Sequence, residues 1–235
     1  MKYPSSQVSR RLVFLSLLVG YASDVCAQPA GMLYDPEPPS DSAYVRVIHA
    51  SRDGAIDVDV DGQSRIKKLA TGDASDYLVL GAGKRSLAIY SAGQKKPIFT
   101  TSVDVIRGQP MTLALTAMKA EAAPIIFVDK VNSNKLKALL TFYHIDQKAG
   151  KLDVLSADGN TKVFSEVSFG SSASIQVNPI AIDLIATKSG GKASLAGAAL
   201  AMTQGGNYSM ILLPGDGKNA VLRAIQNKTE RYTGK

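Results

Sequence analysis

The chain has no tryptophan, two histidines and one cysteine among 235 residues, and aromatics make up only 6% of it. Each scarcity excludes something. Without tryptophan it lacks the commonest platform for stacking sugar rings, and its tyrosines, among them Tyr34, Tyr44, Tyr77, Tyr90, Tyr143 and Tyr208, fall mostly inside strand-like runs where core packing is the default. A lone cysteine, Cys26, permits no internal disulfide, so stability must come from a buried core. Two histidines, His49 and His144, leave few candidates for a general base. Long apolar runs are missing too, apart from "LVFLSLLVGYA" near the N-terminus, which is too short for a comfortable membrane span.

That apolar run follows Lys2, Arg10 and Arg11 and ends at the small-residue stretch "VCA" (25–27), the layout of a secretory signal. Cleavage is expected between Ala27 and Gln28, by the general or the twin-arginine export route, so the mature chain is read as exported. Removing residues 1–27 takes away three cations and Asp24, so the formal charge falls from +7 to +5. A mild basic excess on an exported chain, with no basic run interleaved with aromatics, argues against nucleic acid as a partner.

Residues 28–42 are rich in proline and small polar residues and read as an extended segment. From Ala43 onward, short Val-, Ile-, Leu- and Tyr-rich runs are broken by Gly, Asp, Asn and Lys, which predicts an all-β protein. The chain also repeats itself. "SDYLVLGAGKRSLAIYSAG" (75–93) aligns with "SASIQVNPIAIDLIATKSG" (172–190) at an offset of 97, and "VIHAS" (47–51) with "FYHID" (142–146) at an offset of 95. The organisation expected is therefore two tandem antiparallel β-sandwich domains, 43–130 and 131–235, each of about seven strands. "PIIFVDKVNSNKLKA" (124–138) supplies the last strand of the first and a hinge whose short length leaves the packing of the two open.

"AIDVDVDGQSRIKK" (55–68) poses a choice. Asp57, Asp59, Asp61 and Gly62 have the spacing that opens a twelve-residue calcium loop, but the twelfth position, which should carry a bidentate glutamate, is Lys68. Ile56, Val58 and Val60 alternate strictly with the aspartates, so a half-buried strand closed by an Asp61–Gly62 hairpin turn is the reading adopted, without a metal. The alignment sets "DVDVDG" (57–62) over "VLSADG" (154–159), so the second copy keeps only the strand and the Asp158–Gly159 turn.

No catalytic site is expected. His49 and His144 occupy equivalent strand ends of the two copies and read as histidines with local hydrogen bonds rather than as partners of a nucleophile. "GDASDYL" (72–78) departs from the Gly-Asp-Ser block of one esterase class, and "GAGKRS" (81–86) lacks the spacing of a phosphate loop and reads as a hairpin turn. No cofactor motif is present. Two basic clusters, Arg65, Lys67 and Lys68, and Lys95 with Lys96, read as a solvated sheet edge, with carboxylated sugars as the competing partner.

"LYDPEPPSDSAYVR" (33–46) resembles the pattern Leu-Tyr-x-Pro-x-x-Pro-x-x-Ser-Ala-aromatic-Val-Arg that opens the mature proteins of the AlgF family of alginate biosynthesis. "KLDVLSADGNTKVF" (151–164) and "IQVNPIAIDL" (175–184) are similar to that family's second half. The first copy, through "VRVIHASRDGAIDVDVDG" (45–62), is also similar to a widespread extracellular β-sandwich module, with Arg52 where that module usually has proline. The AlgF resemblance implies a periplasmic, non-catalytic adaptor needed for O-acetylation of a secreted polysaccharide, alginate or another glycan such as cellulose. Its partners would be the membrane and periplasmic proteins of the acetylation apparatus, and the polymer itself. An acetyl-transferring enzyme of that pathway and a binder of acidic polysaccharide are the alternatives.

Overall fold

Period-two runs become strands wherever one face of the run is apolar. The computed structural model describes residues 38–119, 122–216 and 219–233; the expected signal cleavage at Ala27 and Gln28 lies outside them. The first eight strands are β1 (Ser42–His49), β2 (Ile56–Val60), β3 (Gln63–Leu69), β4 (Leu78–Gly81), β5 (Gly83–Ser91), β6 (Phe99–Val105), β7 (Pro110–Leu115) and β8 (Ile125–Val128). The next eight are β9 (Ala138–His144), β10 (Leu152–Ser156), β11 (Lys162–Val167), β12 (Ser172–Val177), β13 (Ala181–Lys188), β14 (Ser194–Ala201), β15 (Asn207–Pro214) and β16 (Ala220–Gln226).

These strands form four four-stranded sheets, ordered β4-β1-β7-β8 and β3-β2-β5-β6, then β12-β9-β15-β16 and β11-β10-β13-β14. Adding eight to each strand number turns the first pair of sheets into the second, so the fold is all-β and made of two sandwich-like halves with one topology. Each half has eight strands instead of about seven. Neither is wholly antiparallel: β1 pairs parallel with β7, and β9 with β15. A parallel neighbour requires a long return path, and here the chain builds the opposite sheet on the way. That path also corrects the reading of 81–86. β4 pairs with β1 whereas β5 pairs with β2 and β6, so Ala82 and Gly83 carry the chain from one sheet to the other rather than through a hairpin. The φ of +115° at Gly83 is a backbone state that side-chain-bearing residues rarely adopt.

Each half has its own core. Val45, Val47, Val58, Leu87, Ile89 and Leu113 fill the first, and Leu140, Phe142, Leu152, Val154, Leu184 and Met210 the second. A third core joins the halves: Ile48, Ala50, Ala114 and Phe127 from the β1–β7–β8 side pack against Tyr143, Ile145, Ile211 and Leu213 from the β9–β15 side. The segment expected as a hinge is anchored as well. Asn132 is buried, donates to the carbonyls of Lys137 and Gly205, and accepts from Gln176 Nε2 at 3.0 Å.

The aspartates of β2 and of the turn after it have a structural task. Asp61 and Gly62 both take positive φ, +51° and +78°, and make the hairpin turn. The Asp57 carboxylate accepts the backbone N–H of Lys68 at 2.7 Å and of Gly93 at 2.9 Å, clipping β3 and the β5–β6 turn to β2; these bonds, Gly93 first, hold its pKa below the ordinary value. The second half repeats the clip one residue out of step with the sequence alignment. Asp153 accepts from Glu166 N at 2.7 Å and Gly190 N at 3.2 Å, and pairs with Lys162 at 2.7 Å. Lys68 and Glu166 both sit at positive φ, +53° and +51°, and the carboxylate that captures each N–H offsets that strained backbone. The second copy therefore kept the aspartate along with the turn. Burial works against the Asp153 charge, but Lys162 and the two N–H groups hold its pKa down at about 2.

Candidate functional site

β1 reads Tyr44, Val45, Arg46, Val47, Ile48. Its odd-numbered residues enter the first core and its even-numbered ones face the second half. Arg46 is thus carried into the junction and is 1% exposed. Its Nε donates to Thr112 Oγ1 at 2.8 Å, Nη1 to Asn227 Oδ1 at 2.7 Å, and Nη2 to Tyr143 Oη at 2.9 Å and Ser209 Oγ at 2.8 Å. Its guanidinium carbon also lies 4.6 Å from the centre of the Tyr77 ring and 5.2 Å from that of Tyr143, cation–π distances. The balancing charge is Asp129, just after β8. Its carboxylate accepts from Tyr77 Oη at 2.7 Å, Thr112 Oγ1 at 2.5 Å and Tyr143 Oη at 2.6 Å. Burial disfavours the Arg46 charge, yet Tyr143, Tyr77 and Asp129 outweigh it and raise the pKa above its ordinary value. Burial pushes Tyr77 well up and Tyr143 up to about 12, so both phenols stay protonated and donate.

The network lies on an internal pseudo-two-fold. The strand registers make Arg46 equivalent to Thr141, Thr112 to Ser209, Asp129 to Asn227 and Lys130 to Lys228. The arms are exchanged as well. The chain after β16 returns to the first half, where Tyr77 N donates to Lys228 O, Glu230 N to Tyr77 O and Val79 N to Glu230 Oε1; on the other side Gln176 reaches the equivalent Asn132.

On this axis opens a cleft of about 450 Å³, lined in pairs by Asp129 and Asn227, Lys130 and Lys228, Val131 and Thr229, Pro110 and Asn207, and Tyr44 and Leu139. Asn207 Oδ1 is buried there with no hydrogen-bond partner among the described residues. A second cavity, of about 570 Å³, lies beside Arg46 and the β3 edge.

Of the basic residues singled out from sequence, Arg65, Lys67 and Lys68 line this second cavity, with Arg65 ion-paired to Glu230. Lys95 and Lys96 are exposed on the β5–β6 turn and do not line it. His49 and His144 are buried at the ends of β1 and β9. Each directs Nε2 to a backbone carbonyl, of Gly54 and of Gly150 respectively, and each leaves Nδ1 buried without a partner among the described residues. Burial lowers the pKa of His144. Ser51 Oγ donates to Asp53 at 2.9 Å rather than to a histidine. Among the described residues no helix is long and apolar enough to cross a membrane, and no group of three acidic, histidine or cysteine side chains is placed to hold a metal. Sequence reasoning missed Arg46, Asp129, Asn207 and Asn227. The available signal was Arg46 sharing a β1 face with Ile48, too little to set that face apart, since Ile106, Ile126, Ile175 and Ile180 are exposed in the same chain.

Fold and junction together define a duplicated β-sandwich protein whose halves meet across a polar axis. A family model described as a domain of unknown function, DUF4397, matches residues 43–155, running from β1 to β10. The chain is a distant homologue of the alginate biosynthesis protein AlgF of Pseudomonas aeruginosa, 27% identical over 175 residues that cover 72% of each chain. Among solved structures, the C-terminal domain of Pseudomonas aeruginosa AlgF is matched over its whole length by 40% of this chain, at 23% identity and a TM-score of 0.33. The Bacillus anthracis TIE protein is matched over 34% of its length by 77% of this chain, at 12% identity and a TM-score of 0.26. Scores this low carry no argument about activity.

Proposed function

We propose that the protein is a non-catalytic, periplasmic adaptor for O-acetylation of a secreted polysaccharide, holding together the proteins that carry and transfer the acetyl group. The observation that carries this reading is the homology to AlgF, a protein of alginate biosynthesis. The geometry is consistent with it. Both histidines direct Nε2 to a backbone carbonyl, the hydroxyl nearest His49 Nε2, that of Thr71, stands 3.5 Å away, and Ser51 is paired with Asp53, so none of these arrangements is a close nucleophile–base pair of the kind acyl transfer needs. The two halves, fused through a third core, present one continuous body on which two partners can be held in fixed relation.

The test is the ratio of O-acetyl groups to sugar in polymer from a strain lacking this gene, against the complemented strain. The reading expects polymer to be made but to lose most of its acetyl groups. An unchanged ratio removes the protein from acetylation. Complementation with Ser51→Ala, His49→Gln or His144→Gln, each checked for normal accumulation, is expected to restore the ratio. Loss of acetylation by one well-folded variant that still binds its partners would make the protein an acetyl-transferring enzyme instead.

A further inference from the structure

The axial cleft has features that fold stability does not require. Three lysines, Lys130, Lys135 and Lys228, line it, and all three are exposed residues. Asn207 lines it too, with Oδ1 buried and without a hydrogen-bond partner among the described residues. The two copies have also diverged here: Pro110 stands opposite Asn207 and Tyr44 opposite Leu139, while the lysines of the pair are retained. The cleft thus combines an apolar wall and a basic rim.

We propose that this cleft binds an extended acidic peptide segment of a partner protein. Lysines on both sides of the axis match carboxylates spaced along an extended strand, and the apolar wall between them suits the side chains of such a strand. A sugar fits less well. The Tyr77 and Tyr143 rings already face Arg46, which leaves the half-buried Tyr44 ring for stacking, and the Asp129 carboxylate already accepts three hydroxyls and has little left for sugar hydroxyls. The inference rests on the adaptor reading and gives the chemistry of one partner.

A photoreactive benzoylphenylalanine at Lys135 of the full-length chain, in cells making the polymer, tests it directly. After irradiation the crosslinked peptide is sequenced. The expected product is a protein segment with at least two Asp or Glu within about five residues. Lys130→Glu with Lys228→Glu should cut its yield roughly tenfold while leaving the thermal melt unchanged. A neutral or basic crosslinked segment, a yield indifferent to charge reversal, no crosslink, or a crosslink abolished by added oligouronate would each overturn the proposal; the last would give the cleft to the polymer. Acetylation in the deletion strain separates the two readings. If deletion lowers acetylation and the crosslink fails, only the cleft proposal falls. If an acidic peptide is captured and acetylation is unaffected by deletion, the cleft stands and the acetylation role falls.

Discussion

The first half brings charge to the junction and the second receives it. At equivalent positions the first half has Arg46 and Asp129 where the second has Thr141 and Asn227. A symmetric pair would bury two arginines and two aspartates around one axis, and removing ions from water costs several kcal/mol each, in order of magnitude. A single ion of each sign, wrapped by the hydroxyls of Thr112, Tyr77, Tyr143 and Ser209, satisfies the site with fewer buried charges. Duplication supplied the two-fold frame, and divergence made its centre heterologous, so each half now completes the other.

Removing the asymmetry should have the largest effect. Arg46→Thr, which copies the second half's residue, leaves Asp129 as an uncompensated buried charge and should cost about 3–5 kcal/mol in urea denaturation. Combining it with Asp129→Asn makes the halves alike, and the double variant should be more stable than the sum of the two losses implies, by about 1–2 kcal/mol. Additive losses would mean that the two groups do not act as a pair. Tyr143→Phe removes the hydroxyl linking Asp129 to Arg46 and should cost about 2 kcal/mol; its counterpart Ile48 has no such bond to lose.

The two aspartate clips differ in burial. Asp153→Asn should cost about 2 kcal/mol and the half-exposed Asp57→Asn about half as much. The Asp153 carboxyl is held at about 2 in the folded chain, below its ordinary value of 3.8. Its contribution is therefore fully present above the unfolded value, near pH 4, and fades as the pH falls toward 2. The stability difference between wild type and Asp153→Asn should narrow over that window, and a difference constant with pH would show that the charge is not what the clip uses. The smallest effect is expected at the second cavity, where Arg65→Ala removes a partly exposed ion pair worth no more than about 1 kcal/mol.

Strand positions, the duplication and the Asp61–Gly62 turn were legible because they follow from period-two alternation and from which residues tolerate positive φ. The Asp57–Asp153 equivalence was not, because the β10–β11 turn is two residues longer than the β2–β3 turn, so β10 matches β2 at an offset of 96 and β11 matches β3 at 98, and only the strand registers show it. The junction stayed hidden for another reason. A polar residue alternating with valine, as Arg46 does in "YVRVIH", has the pattern of a solvent-facing side chain, and the sequence does not reveal that a second sandwich covers that face. Likewise 81–86 looks like a turn in either case, and whether the chain stays in its sheet depends on partners far along the sequence.

The axial cleft exists only while the two halves are joined as one body. Scanning calorimetry of the mature chain tests this most directly. One transition is predicted, with equal calorimetric and van't Hoff enthalpies, and Arg46→Thr should lower it as a whole. Two transitions, only one of them displaced by Arg46→Thr, would show independently folding halves and contradict the account.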